Sequence, residues 1–260
     1  MKKLLFCLAV FLTTFPLFAL NGGLEKWEIA YEGEGYSYRE PHMEYPISLK
    51  GYHQGASVKY TMTGSGGSAN GVGIFEGRFL TGKTDYDGYL MNGTPSTADD
   101  ITDWYFELRG LYGYKFGSGS VNFTPYIGFG YRFLSNNMDE DDTGYRREST
   151  YYYMPIGASL AAGSGNGFSV TFTGEFDWLV YGNQYSGLAG GVNNLQDKGF
   201  GLRGGIKLTA GSEGFSVFVE PFYRFWKIQN SDVVMVNSTQ GLLEPFNISR
   251  EYGIKAGIAF

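Results

Sequence analysis

Asp85, Tyr86 and Asp87 set two carboxylates one residue apart at what reads as the end of a strand, where alternate side chains point the same way. Such a pair shares a proton or positions a water, the equipment of acid–base hydrolysis. The only histidines are His42 and His53. His42 falls between the first two predicted strands and is the base best placed to lean toward Asp85, whereas His53 takes a polar position within the second strand. Asp139 to Asp142, followed by Gly144, Arg146 and Arg147, form a second acidic group. Counted from Asp139, a calcium loop is matched by Asp139, Asp141 and Gly144, but Thr143 and Thr150 stand where two further ligands belong, so a solvated loop is expected. No Gly-x-Ser-x-Gly elbow, His/Cys ligand set or lysine-bearing phosphate loop occurs. Neither cofactor nor metal is expected.

The elements that must carry these residues are strands. The chain ends Tyr252, Ile254, Ala256, Ile258, Phe260, with Glu251, Gly253, Lys255, Gly257 and Ala259 on the opposite parity. An apolar face opposite a polar one, at period 2, suits lipid on one side and a polar lumen on the other. The pattern recurs from Trp104 to Phe116, Val121 to Phe133, Phe168 to Val180 and Phe215 to Phe225. In these runs Glu107, Arg109, Arg132, Glu175, Asp177, Glu220 and Arg224 take the polar face. Two runs joined by a Gly/Ser turn make a hairpin. The segments add up to about ten strands, roughly 24–38, 47–63, 71–82, 103–116, 121–134, 150–162, 168–181, 199–210, 215–229 and 249–260. The expected fold is all-β, a closed antiparallel up-and-down transmembrane barrel with short periplasmic turns and longer external loops. A soluble sandwich also alternates, but the runs reach or exceed the ~9–11 residues of a spanning strand and carry aromatics at both ends.

Residues 1–19 have the makeup of a secretory signal: Lys2 and Lys3, an apolar stretch from Leu4 to Leu12, then Thr13 to Ala19 with Leu17 and Ala19 in the positions a signal peptidase inspects. The expected organisation is a signal peptide over 1–19 and one barrel domain over 20–260. Cys7 lies in the signal, so the mature chain has no thiol chemistry. Removing two lysines and no acid takes the formal charge from −6 to −8, which argues against nucleic acid as a partner. With 40 glycines, 21 tyrosines and 21 phenylalanines in 260 residues, the composition is that of a barrel with aromatic girdles and crowded lumen positions.

The layout resembles the omptins, ten-stranded outer-membrane proteases whose active site crowns the barrel. Their Asp-x-Asp aligns with Asp85 and Asp87, and the likeness extends through the run from Gly174 to Trp178, the long last loop and the final strand. The resemblance implies an outer-membrane location and a peptidase activity. Its Asp-His dyad, however, belongs in the fourth external loop, and here Tyr181 to Gly187 holds neither residue.

The leading expectation is therefore a non-enzymatic surface or envelope barrel. Tyr89, Tyr145, Tyr185, Leu242 and Leu243 would give its loops apolar contacts for an external ligand. Its partners would be outer-membrane lipid, lipopolysaccharide and the assembly machinery that reads a C-terminal strand ending at Phe260. The alternatives are an omptin-like peptidase with an altered site drawn from Asp85, Asp87 and His42, and a narrow pore. The lumen charges are expected to pair across neighbouring strands, because unpaired buried charge is costly.

Overall fold

A computed structural model describes residues 24–64, 70–89, 93–117, 119–140, 144–164, 167–212 and 214–260. The signal segment with Cys7, and Asp141, Asp142 and Thr143 of the acidic loop, lie outside the described residues. Ten antiparallel strands form the wall: β1 (Leu24–Glu40), β2 (Ile47–Thr63), β3 (Gly71–Tyr89), β4 (Pro95–Tyr114), β5 (Val121–Asn137), β6 (Arg146–Ser164), β7 (Phe168–Ser186), β9 (Gly199–Gly211), β10 (Ser216–Ile228) and β13 (Asn247–Ala259). The short β8 (Val192–Leu195) pairs with the upper end of β7, and β11 (Val234–Met235) with β12 (Gly241–Leu242) forms a separate hairpin. Consecutive wall strands are neighbours, and pairing of β1 with β13 closes the sheet. Trp27 and Phe260 exchange backbone hydrogen bonds of 2.8 and 2.9 Å at that seam.

Period 2 sorts the side chains into an apolar outer face and a polar lumen. Phe75, Phe79, Leu108, Ile127, Phe172, Trp178, Val219 and Ile254 are exposed on the outside, while Glu32, Glu107, Asp177 and Glu251 are buried within. This inversion of the soluble pattern is what a lipid-facing wall requires. Two aromatic–aliphatic clusters fill the lumen toward its outer end: Tyr36, Tyr38, Leu49, Tyr86, Ile101 and Met138 on one side, Tyr151, Tyr153, Leu179, Trp226 and Ile228 on the other. Close approach fixes two glycines here. A Cβ at Gly130 would lie 2.1 Å from the Tyr153 ring, and one at Gly82 would lie 1.9 Å from the Tyr52 carbonyl and 2.8 Å from the His53 ring.

The strands run well above the lipid band. The stretch from Lys83 to Asp103, expected as a loop, is mostly strand: β3 continues to Tyr89 and β4 starts at Pro95. Likewise β5 reaches Asn137 and β6 starts at Arg146. Above the membrane both faces of the wall meet water, so the apolar alternation that marks a strand in the sequence fades there while the backbone ladder continues. Lys115, which shares the polar parity of Glu107 and Arg109 in the predicted run from Trp104 to Phe116, lies past the end of β4.

Candidate functional site: lumen belt and barrel mouth

Parity on β1, β3, β4, β5, β7, β9, β10 and β13 aims a ring of charges into the mid-lumen, where a ten-stranded barrel is narrow enough for side chains to meet across it. Arg78 Nε donates to Glu107 (2.7 Å), its Nη1 to Glu32 (2.5 Å) and its Nη2 to Glu251 (2.9 Å). Arg224 Nη1 reaches Glu32 (2.8 Å), Glu34 (3.2 Å) and Glu251 (3.4 Å). Arg132 on β5 meets Glu251 on β13 at 2.5 Å, a tie across the barrel. Arg203 binds Glu107 (2.5 Å) and Asp177 (2.5 Å). Tyr153 donates to Glu107 (2.6 Å) and accepts from Arg203 (2.9 Å). The lumen charges pair as expected, and many pairs join distant rather than adjacent strands.

His53 sits in the same row of the sheet as Glu34, Gly82 and Asp103. Its ring is fully buried, with Nδ1 3.4 Å from Glu34 and Nε2 3.5 Å from Asp103. Tyr36 and Tyr105 pack against it, and the Tyr105 hydroxyl donates to Glu34 (2.7 Å). Both nitrogens thus face carboxylates inside the belt, with no open side from which the imidazole meets a substrate.

The belt divides the lumen. Toward the short turns lies a cavity of about 150 Å³, with Lys59, Arg109, Lys207 and Lys255 set among Glu28, Glu76, Glu175 and Glu220. Solvent reaches Lys59 (34% exposed side chain) and Glu76 (25%), but belt groups such as Glu107 (1%) are sealed. Above the belt, Arg147 of β6 reaches Glu40 of β1 (2.9 Å) and also binds Glu244, which descends from the last external loop. Burial, together with the negative charge of Glu40, pushes the Glu244 carboxyl up to about 7 against the pull of Arg147.

The residues expected to form a catalytic group are not brought together. Asp85 and Asp87 lie on β3 with Lys83, on its exposed outward parity, and the side chain pointing into the mouth is Tyr86. Asp85 accepts a hydrogen bond from the Asp100 backbone N–H (3.1 Å), where β4 bulges and Asp100 takes φ 57°. His42 stacks on Phe246, rings 4.5 Å apart, beside the β13 seam. Asp139 is exposed in the turn after β5. Tyr89 packs on Tyr45, Tyr185 falls on β7, and Leu243 is exposed on the last loop. Among the described residues, no three His, Cys, Asp or Glu side chains converge as metal ligands do.

Glu28, Glu32, Glu34 and Glu40 on β1, Asp103 on β4, and the pairing of Arg147 with Glu244 are functional features that the apolar pattern of the sequence did not mark. Parity extended along β1 marks its acids, spaced at even intervals from Glu28. Gly33 and Gly35 on the outward parity hid the apolar face, because Tyr52 and Tyr252 fill the space above them.

No family model matches this chain, and no curated protein matches it in sequence. Among solved structures it is similar to the outer-membrane protease OmpT from Escherichia coli, with TM-score 0.61 and 10% identity, covering 91% of this chain and 96% of that one. Two further matches are the translocator domain of the autotransporter NalP from Neisseria meningitidis and an outer-membrane channel from Pseudomonas putida F1. The first has TM-score 0.41 and 11% identity, covering 97% and 93%; the second has TM-score 0.31 and 11% identity, covering 91% and 96%. The chain is a ten-stranded β-barrel of the bacterial outer membrane, with an omptin-like fold.

Proposed function

We propose that this protein is a non-enzymatic surface barrel that holds its external loops above the membrane and is seated among lipopolysaccharide. The observation that carries this reading is the belt: Arg78, Arg203 and Arg224 each contact three or more carboxylates, so the lumen charges are spent on holding the wall together. The outward placement of Asp85 and Asp87 and the enclosure of His53 favour it over a peptidase. The loops and the upper wall are then the surfaces left to act.

On that wall Lys83 stands in the same row as the exposed Tyr52, Tyr252 and Tyr223, Lys50 and Arg250 one outward position further along, and Arg39 and Lys227 two, on the five adjacent strands β3, β2, β1, β13 and β10. Cations at the rim of an aromatic girdle suit the phosphates of an anionic outer leaflet. The closing strand β13, with Phe260 exposed at its end, is the segment we assign to the assembly machinery.

The test is planar-bilayer conductance together with a quenched-peptide panel, both on barrel refolded with lipopolysaccharide. We expect neither current steps nor cleavage. Steps would make it a pore, and cleavage lost in Asp85→Ala/Asp87→Ala would make it a peptidase.

A further inference from the structure

The last external segment, residues 229–246, is a hairpin whose turn stands in solvent and whose foot enters the barrel mouth. Glu244 and Phe246 are buried at that foot, while Asn237 to Gly241 are exposed. Neutral hydrogen bonds brace the stem against the β8 region. Asn194 Nδ2 donates to the Ser231 hydroxyl and the Leu242 carbonyl (both 3.2 Å), and Gln196 donates to the Gln229 carbonyl (3.2 Å).

One charged tie crosses the opening. Arg147 on β6 binds Glu244 of the hairpin, Glu40 on β1 (2.9 Å) and the Tyr38 hydroxyl (3.1 Å). β6 and β1 stand on opposite sides of the ring, with four wall strands between them in either direction. Beneath the tie is a small cavity of about 30 Å³, lined by Tyr36, Asp103, Asn136, Ser149, Gln184 and Ser249 among others. That is room for about two waters.

We propose that this hairpin is a lid over the upper lumen with Arg147 as its latch, closed while the latch cluster holds an extra proton and released when that proton is lost. The charged and titratable groups facing the latch are Glu244 from the hairpin, Tyr38 and Glu40 from β1, Tyr145 from the segment entering β6, Tyr151 on β6 itself, and Tyr86 from β3. With both carboxylates ionised, a single guanidinium faces two buried negative charges, and one of them is left without a counter-ion. With Glu244 protonated, Arg147 and Glu40 form a neutral pair, and the Tyr38 hydroxyl, which donates to Glu40 (2.7 Å), completes the set.

The direction follows from linkage. In the open state Glu244 returns to an ordinary carboxylate value near ~4.3. In the closed state it titrates near 7, so closure is strongest in acid and is lost as pH rises through 7. The Glu244 N–H donates to the Ser231 hydroxyl (2.8 Å) and its carbonyl accepts from the Ser231 N–H (2.9 Å), so the foot leaves the mouth together with the stem, and opening also breaks the neutral hydrogen bonds to the β8 region.

The test is a spin-label distance measurement between Thr239→Cys on the hairpin turn and Thr97→Cys on β4, in chains lacking Cys7, at pH 5.5 and pH 8.5. The expected result is one narrow distribution at pH 5.5 and a second, longer population at pH 8.5. The open-to-closed ratio should rise about tenfold or more, as for a titration carried a unit past its midpoint. Glu244→Gln keeps the acid distribution at both pH values, and Arg147→Gln shows the long population at both. Gel heat-modifiability confirms that each variant is a folded barrel. Identical distributions at the two pH values, or an Arg147→Gln variant as closed as the parent, would overturn the proposal.

Discussion

The belt and the mouth are built from the same residue types and use them in opposite ways. In the belt, Arg78 touches Glu32, Glu34, Glu107 and Glu251, and each of those acids also meets another cation of the network. Loss of a proton or a rotamer change at one member leaves the others tied. At the mouth Arg147 alone serves Glu40 and Glu244. Redundant pairing makes a fixed plug; a shared cation makes a hinge that can let go. The chain thus separates support from motion along the barrel axis.

That contrast is broken most forcefully by Arg78→Met, which leaves several buried carboxylates short of a partner. We expect a loss of about 3–5 kcal/mol in denaturant unfolding from lipid vesicles; an unchanged midpoint would deny the belt its structural role. A lipid-face charge sharpens the inside–outside assignment. Phe172→Arg should cost about 2–4 kcal/mol near the membrane midplane, while Thr171→Arg, opening on the lower cavity, should cost clearly less. Equal costs would mean the faces are misassigned. Gly130→Ala drives a methyl into Tyr153 and so against the belt through the Glu107 hydrogen bond. The expected cost is about 1–3 kcal/mol by the same assay. At the small end, Asp85→Asn with Asp87→Asn should stay within about 0.5 kcal/mol of the parent, as exposed positions outside both regions do.

How much of this was legible in the sequence depended on where lipid supplies contrast. Within the membrane, outward positions are mostly apolar and the lumen holds most of the charge, so Phe168 to Trp178 and Tyr252 to Phe260 announced their faces. Above the membrane that contrast ends. Asp85 and Asp87 read as a strand-end pair crowning the barrel, when they are outward positions on a strand that simply continues. Pairing partners were harder still. Nothing local links Arg132 to Glu251 or Arg147 to Glu244, because those contacts exist only once the sheet closes and opposite strands face each other. His53 shows both sides of the matter: its lumen parity was readable, but its place between Glu34 and Asp103 depends on register across β1, β2, β3 and β4 and on Gly82 leaving the space.

Charge pairs spanning the lumen hold this barrel together, and the diametric pair of Arg132 with Glu251 offers the sharpest check of it. A double-mutant cycle with Arg132→Met, Glu251→Gln and the combined variant, read by reversible unfolding in lipid vesicles, isolates their coupling. We expect a favourable coupling of about 1–3 kcal/mol; additive single effects, with no coupling between the two, would deny the cross-lumen pairs that role.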